Sequence, residues 1–290
     1  MTIHLLDVPY SLGREAVGSG RGPIRLLDAG LVSLLGEHGH DVRSVHVRRA
    51  GEFQHEVGAS FDVTRVLAAH VRRTLDGGGT PLVLAGDCSA CLGILAGMTP
   101  GRIGVVWFDS HGDFNTPETT VSGFLGGMPL AAAVGRCWTA LCAGIPGFEP
   151  VRESRVVLYD ARSLDPKEEA MLRGSAVQIV DGGAALARAL DELAIDVDAV
   201  YLHVDLDVLD PRQVRANIYA EPGGLSVEQV IEGIDSVAHR VPIRAATLSA
   251  YDPGYDEDGR ATAAGLRIVA ALARAITPAG ISRSRAPGPP

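Results

Sequence analysis

Eight short runs of β-branched and aliphatic residues recur along the chain, with longer helix-forming segments between them. The runs are Ile3–Val8, Val42–Val47, Leu82–Ala85, Ile103–Phe108, Val156–Tyr159, Val177–Val180, Val200–Leu206 and Ala245–Ala250. Such alternation reads as an α/β fold in which a parallel sheet carries helices on both faces. Helices are expected over Pro23–Leu35, Val63–Leu75, Pro166–Leu172, Ala184–Leu193, Val227–His239 and Ala261–Ile276. Ser226 and Gln229 have capping-box spacing, and Asp165-Pro166-Lys167-Glu168 sets an N-cap, a first-turn proline and an acidic third position in order. No internal repeat or composition shift marks a second domain. Residues 1–280 are therefore read as a single domain, and the polar, proline-rich 281–290 as a flexible tail.

Composition removes several function classes. The formal net charge is -9 and no Lys/Arg cluster is present, which argues against nucleic acid, since binding there rewards basic surfaces that displace counterions from phosphates. No segment approaches the roughly 20 apolar residues that span a bilayer, and the N-terminus lacks a signal-peptide pattern, so no membrane partner is expected and the chain is read as cytoplasmic. Four cysteines, Cys88, Cys91, Cys137 and Cys142, are too few for a disulfide scaffold.

In doubly wound sheets ligands bind beyond the carboxyl ends of strands. Three such ends carry unusual chemistry. After the fourth run comes VVWFDSHGDFN, in which Asp109, His111 and Asp113 are spaced by two, so that an extended chain points all three the same way. After the seventh comes YLHVDLDVLDP, with His203, Asp205 and Asp207 at the same spacing. The third run ends in LAGDCSACLG, where Cys88 and Cys91 meet a glycine turn and a helix start. Carboxylates this dense at the end of a buried strand repel one another unless a cation compensates. A dinuclear metal site is the natural solution, because two aspartates can bridge ions and leave a shared water acidic enough to attack an electrophilic carbon. The competing reading is solvated turn aspartates. An EF-hand reading of DLDVLD fails, because its loop lacks glycine at the sixth position and glutamate at the twelfth.

These residues also carry a resemblance. GDCS, DSHGDFNTP, SGFLGGMPLAAAVG, HVDLDVLDP and EPGGLS, in this order and with GSGRGPIRLLDAGL ahead of them, resemble the arginase/agmatinase (ureohydrolase) family from about Gly18 to the last helix. The resemblance implies a three-layer αβα fold with an eight-stranded, mainly parallel sheet. It also implies hydrolysis of guanidino compounds by a hydroxide bridging two manganese ions. Carried over by position, Asp109 and Asp205 would bridge the ions, Asp113 and Cys88 would complete one side, and His111 and Asp207 the other. The family has histidine where this chain has Cys88, so the resemblance makes Cys88 a thiolate ligand. A C-x-x-C redox pair and a cysteine nucleophile are the rival readings. The redox reading leaves both acidic triplets unexplained. Cys91 is assigned to helix packing. Thiolate would admit zinc, cobalt or iron, but the oxygen-rich remainder favours two Mn2+ per chain.

Departures from the family narrow the substrate. Gly126 stands where arginases have a histidine assigned to proton transfer, and Ala250 stands near a carboxylate that pairs with the guanidinium. At the amino-acid end, Asn115, Thr120 and Ser122 match residues that hold the substrate α-carboxylate, and Asp165 matches one near the α-amino group. Asp165 also reads as a helix N-cap, and Phe124 replaces a polar residue. Together these features imply a small-molecule guanidino amino acid whose reactive end needs neither a buried carboxylate nor a histidine acid. Nω-hydroxy-L-arginine, cleaved to L-ornithine and hydroxyurea, is the reading that follows. In these departures the chain resembles the hydroxyarginine-hydrolysing branch of the family associated with D-cycloserine biosynthesis. The alternatives are an amidinohydrolase acting on an unmodified guanidine and a catalytically silent metal- or ligand-binding homologue. Asp113 would orient the attacking hydroxide. His203 reads either as a proton shuttle or as a hydrogen-bonded core histidine. Glu221 reads as a residue of the pocket mouth or of a turn. Monomer and homo-oligomer both stay open.

Overall fold

All eight apolar runs form strands, with bounds that shift by at most two residues. In the computed structural model, which describes residues 2–276, they are β1 (Thr2–Val8), β2 (Asp41–His46), β3 (Thr80–Ala85), β4 (Ile103–Phe108), β5 (Val156–Tyr159), β6 (Gln178–Val180), β7 (Ala199–Asp205) and β8 (Ile243–Ser249). They make one eight-stranded sheet in the order β2-β1-β3-β8-β7-β4-β5-β6, and every pairing in it is parallel. Strands β3, β4 and β7 are buried along their whole length, which is why their sequences read as unbroken apolar runs.

Helices cover both faces, giving the three-layer αβα architecture. On one side lie α1 (Arg21–Asp28), α2 (Leu31–Glu37), α8 (Gly182–Asp196), α9 (Val227–Arg240) and α10 (Arg260–Ala275), whose Leu26, Leu35, Leu190, Ile234 and Ile268 pack with Leu5, Leu84, Val106 and Val204 of the sheet. On the other lie α3 (Glu56–Asp76), α4 (Ala90–Met98) and α5 (Pro129–Ala133), where Leu67, Ile94 and Leu130 meet Val83, Val105, Trp107 and Tyr201. Two short helices, α6 (Thr139–Ala143) and α7 (Pro166–Arg173), complete the set.

Three helical expectations need correction, the first being Val63–Leu75, which begins seven residues earlier as α3, behind its His55 cap. The segment Pro23–Leu35 is two helices, because Gly30 adopts a left-handed φ of 88° between them and ends the first. Only the start of α4 is signalled, because every residue of α4 is buried and no amphipathic period marks it. Gly93 lets α4 sit close on α3: a Cβ there would lie 2.5 Å from the Thr64 carbonyl oxygen. The Ser226–Gln229 box forms as expected, with Gln229 N–H donating to Ser226 Oγ at 3.2 Å and Ser226 N–H donating to Gln229 Oε1 at 2.8 Å. The strands of the large sheet run from Thr2 to Ser249, a separate two-stranded antiparallel ribbon pairs Tyr10–Ser11 with Arg14–Glu15, and the expected tail 281–290 lies outside the described residues.

The strand order places the chemistry. The chain leaves β3 for β4 across a gap that β7 and β8 later fill, so four central strands end at one crevice. Asp109 follows β4 directly, Asp205 closes β7, Ser249 closes β8, and Cys88 lies three residues beyond β3.

Candidate metal centre

At the crevice the side chains converge into two overlapping groups. Cys88, Asp109, His203 and Asp205 offer ligand atoms all within 4.8 Å of one another, and so do Asp109, His111 and Asp207. Asp109 belongs to both, as a residue bridging two ions would. Cys88 Sγ donates to Asp205 Oδ2 at 3.0 Å. His111 Nδ1 lies 3.4 Å from Asp109 Oδ1 and 3.5 Å from Asp207 Oδ2. The first group contains His203 where the resemblance places Asp113.

Asp113 nevertheless sits at the same crevice in a constrained state. Its φ of 48° is left-handed, and its carbonyl accepts from the N–H groups of Leu130 and Ala131 at 2.9 and 3.1 Å. Its Oδ2 is buried without a hydrogen-bond partner among the described residues. Glu168 braces the loop from behind. Its Oε1 accepts from Phe114 N–H at 2.8 Å, and its Oε2 from Asp165 N–H at 3.1 Å.

Burial and the neighbouring carboxylates push Asp109, Asp113 and Asp205 above the usual carboxylate range. Burial, reinforced by the charges of Asp205, Asp113 and Asp109, raises the Cys88 thiol as well. Burial would also raise Asp207, but hydrogen bonds from His111, Ser110 and Asn217 outweigh it and hold the group down at about 2. For His111, burial is outweighed by Asp109 and Asp207, which push the ring up to about 12. Together, repelling buried carboxylates, an unpartnered carboxylate oxygen, a thiol and an imidazole make a donor set that a divalent cation would neutralise.

Of the expected substrate residues, Asn115 follows Asp113 by two positions and pairs with Asp165. Asn115 Nδ2 donates to Asp165 Oδ2 at 3.1 Å, so the Asp165 carboxylate turns toward Asn115 while its residue caps α7. Thr120 Oγ1 accepts from Gly123 N–H and Ser122 Oγ from Phe124 N–H, each at 3.1 Å. Both hydroxyls therefore keep their own hydrogen for another acceptor. The Phe124 ring fills the space over Gly126, where a Cβ would lie 2.4 Å from it, and stands 5.1 Å from the Tyr219 ring. Ala250 has a left-handed φ of 61° and presents its carbonyl to Asn217 Nδ2 at 2.9 Å. Glu221 is tied through its carbonyl to Arg162 Nη2 at 2.9 Å, and the same nitrogen holds the Asp207 carbonyl at 3.2 Å. His203 is fully buried, with both ring nitrogens hydrogen-bonded.

A family profile described as "Arginase family" matches residues 1–274. The chain belongs to the arginase family. It is 32% identical to the arginase of Bacillus caldovelox over 93% of this chain and 97% of that protein. The native structure of that arginase superposes with a TM-score of 0.86 at 29% identity, covering 93% of this chain and 97% of the other. A second similarity, 34% identity over 54% of this chain and 55% of the other, is to the N(omega)-hydroxy-L-arginine amidinohydrolase of Streptomyces lavendulae. As an arginase-family member the chain is a hydrolase of amidine C–N bonds, acting on small guanidino compounds in a metal-dependent way. Among the described residues no helix is long and apolar enough to cross a membrane.

Several supporting residues of this arginase-family centre escaped the sequence reading. Trp107 Nε1 donates to Asp109 Oδ2 at 2.9 Å, and Ser110 Oγ donates to Asp207 Oδ1 at 2.8 Å. Asn217 Nδ2 donates to Asp207 Oδ2 at 3.2 Å. Trp107 shares the period-two face of Asp109, which is a signal available in sequence. Asn217 comes from irregular chain after β7, and no local pattern points to it. The C-x-x-C motif holds no disulfide: all four cysteines are free and buried, and Cys91 Sγ faces the Pro129 carbonyl at 3.8 Å.

Proposed function

We propose that the protein hydrolyses Nω-hydroxy-L-arginine to L-ornithine and hydroxyurea, using two manganese ions held by Cys88, Asp109, His111, Asp113, Asp205 and Asp207. The observation that carries the substrate choice is the reacting end of the crevice. There the Phe124 ring covers Gly126 and a methyl group stands at Ala250, so neither position supplies a proton donor or a countercharge. A hydroxyguanidine suits such a wall, because its electron-withdrawing oxygen lowers the basicity of the group and makes the neutral form accessible near pH 7. The partial similarity to a hydroxyarginine amidinohydrolase points the same way.

When bound, the ions would supply a water acidic enough to attack at neutral pH and would stabilise charge developing on the substrate. The chain's own residues do the rest. Thr120 and Ser122 donate their free hydroxyl hydrogens to the substrate α-carboxylate. Asn115 orients the Asp165 carboxylate toward the α-ammonium. Asp113, with its unpartnered Oδ2, takes the proton that the attacking water gives up and passes it to the amine nitrogen of ornithine. Glu221, whose carbonyl Arg162 fixes, stands on the loop that borders the crevice.

A second reading, arginase activity on the unmodified guanidine, is favoured by the full-length similarity to an arginase. Manganese-loaded protein incubated separately with L-arginine and Nω-hydroxy-L-arginine, with products measured by mass spectrometry, separates the two. Hydroxyurea and ornithine from the hydroxylated substrate with little urea from arginine is the expected result. Efficient urea release supports the second reading, and silence with both substrates points to a binding protein.

A further inference from the structure

One buried polar line runs through His203 and Ser249 to the Cys88 sulfur of the metal centre. On β7, Tyr201, His203 and Asp205 share a face. In register, His203 stands between Trp107 of β4 and Thr247 of β8, and Ser249 of β8 stands beside Asp205. The His203 ring lies flat on the Trp107 indole, with centroids 3.6 Å apart and planes 12° from parallel. His203 Nδ1 pairs with the Tyr201 hydroxyl at 2.8 Å, and that hydroxyl pairs with Thr247 Oγ1 at 3.0 Å. His203 Nε2 pairs with Ser249 Oγ at 3.1 Å, and Ser249 Oγ lies 3.5 Å from Cys88 Sγ. Of these residues Cys88 is the most exposed, at 5%.

A hydrogen inventory gives this line a direction. A cysteine sulfur bound to metal has no hydrogen and can only accept. Ser249 has one hydroxyl hydrogen, so it donates to the sulfur and must itself accept from His203 Nε2–H. His203 Nδ1 is then bare and accepts the Tyr201 hydroxyl hydrogen, which turns to it from Thr247 Oγ1, the acceptor that hydroxyl faces in the metal-free geometry. Stacking on Trp107 and the two hydrogen bonds hold the ring in place, so the serine hydroxyl is aimed by its neighbours and not by chance. Such outer partners orient ligands and tune the metal. A fully buried ring already bonded on both nitrogens is poorly placed to carry protons to a substrate.

We propose that His203, acting through Ser249, is a positioning residue that presents a hydrogen-bond donor to the Cys88 sulfur and thereby fixes that sulfur as a metal ligand. The inference rests on the reading of Cys88 as a thiolate ligand.

Cobalt(II) loaded into the full chain tests it, because a thiolate on cobalt gives a near-ultraviolet charge-transfer band whose energy reports hydrogen bonding to the sulfur. Wild type, Ser249→Ala, Ser249→Thr, Tyr201→Phe and His203→Gln would be compared by band position, cobalt per chain and cobalt affinity against a competing chelator. Circular dichroism of the metal-free forms checks folding. Ser249→Ala is expected to shift the band to lower energy and to weaken cobalt binding by about 10–100-fold. Tyr201→Phe should move both in the same direction by less, and Ser249→Thr, which keeps the hydroxyl, should preserve the wild-type band. An unchanged band and affinity in Ser249→Ala overturns the proposal while leaving Cys88 a ligand. Loss of one cobalt per chain in His203→Gln alone also overturns it and makes His203 a ligand. Absence of the band in wild type overturns the Cys88 reading and this inference together.

Discussion

Filling the metal centre should release protons, and two side chains set the least number. At neutral pH the metal-free protein keeps His111 as imidazolium, since Asp109 and Asp207 outweigh burial and push it up to about 12. It keeps Cys88 as a thiol, because burial and the surrounding carboxylates raise it. Neither form is a ligand: an imidazolium has no free lone pair, and the thiolate is the species that binds metal. Each must surrender one proton, and each displaced proton changes the apparent binding free energy by about 1.4 kcal/mol per pH unit. Two protons therefore make the overall constant for filling the centre rise about a hundredfold per pH unit across the neutral range. Protons held by Asp113 or Asp205 would steepen that dependence, as burial has raised both groups. Titration calorimetry with manganese, in buffers of different ionisation enthalpy and at several pH values, measures both the release and the slope. Removing the thiol in Cys88→Ala should lower the release by one. Binding with no proton release and a flat pH profile would refute the reasoning.

Other outcomes follow from the same geometry. In the metal-free protein the raised His111 pKa stabilises the fold fully below the unfolded histidine value of about 6.5, and that stability is lost as pH rises toward the folded value of about 12. Thermal unfolding of metal-free protein should accordingly weaken with increasing alkalinity. Glu168→Ala strips the partner from the Phe114 and Asp165 amides, which should cost about 1–3 kcal/mol for each one left unpaired in denaturant unfolding. Asn115→Ala frees the Asp165 carboxylate and should raise KM about tenfold, the loss of one hydrogen bond, with kcat little changed. Gly126→His meets the Phe124 ring, so its effect on urea release from arginine should be larger when Phe124→Ala is added; steady-state kinetics of the single and double variants would show this.

The fold was legible because buried parallel strands write themselves as apolar runs, and β4 and β5 match their expected bounds. Where a helix is buried on all sides, as α4 is, or interrupted by one glycine, as at Gly30, periodicity loses its signal. The candidate ligands were legible by residue type and spacing but not through the extended chain expected for them: Asp113 adopts a left-handed φ of 48°, Asp207 lies in a 3-10 turn after β7, and it is strand order that brings Asp109 and Asp205 together. What sequence could not show was the cross-strand support. The contacts of His203 with Trp107 and Ser249 exist only through the pairing of β7 with β4 and β8, which no local pattern encodes. The coupling of Phe124 to Gly126 depends likewise on how a loop folds back, so a loss of side chain at one position and a gain at another read as separate departures until they were seen in contact.

The account rests on Cys88 and the two acidic triplets holding a pair of ions, and crystals of manganese-loaded protein measured on both sides of the manganese absorption edge test it most directly. Two anomalous peaks are predicted, bridged by Asp109 and Asp205, with Cys88 Sγ bound to one of them and His203 outside the coordination sphere. A single peak, or two peaks with the Cys88 sulfur out of bonding distance, would contradict it.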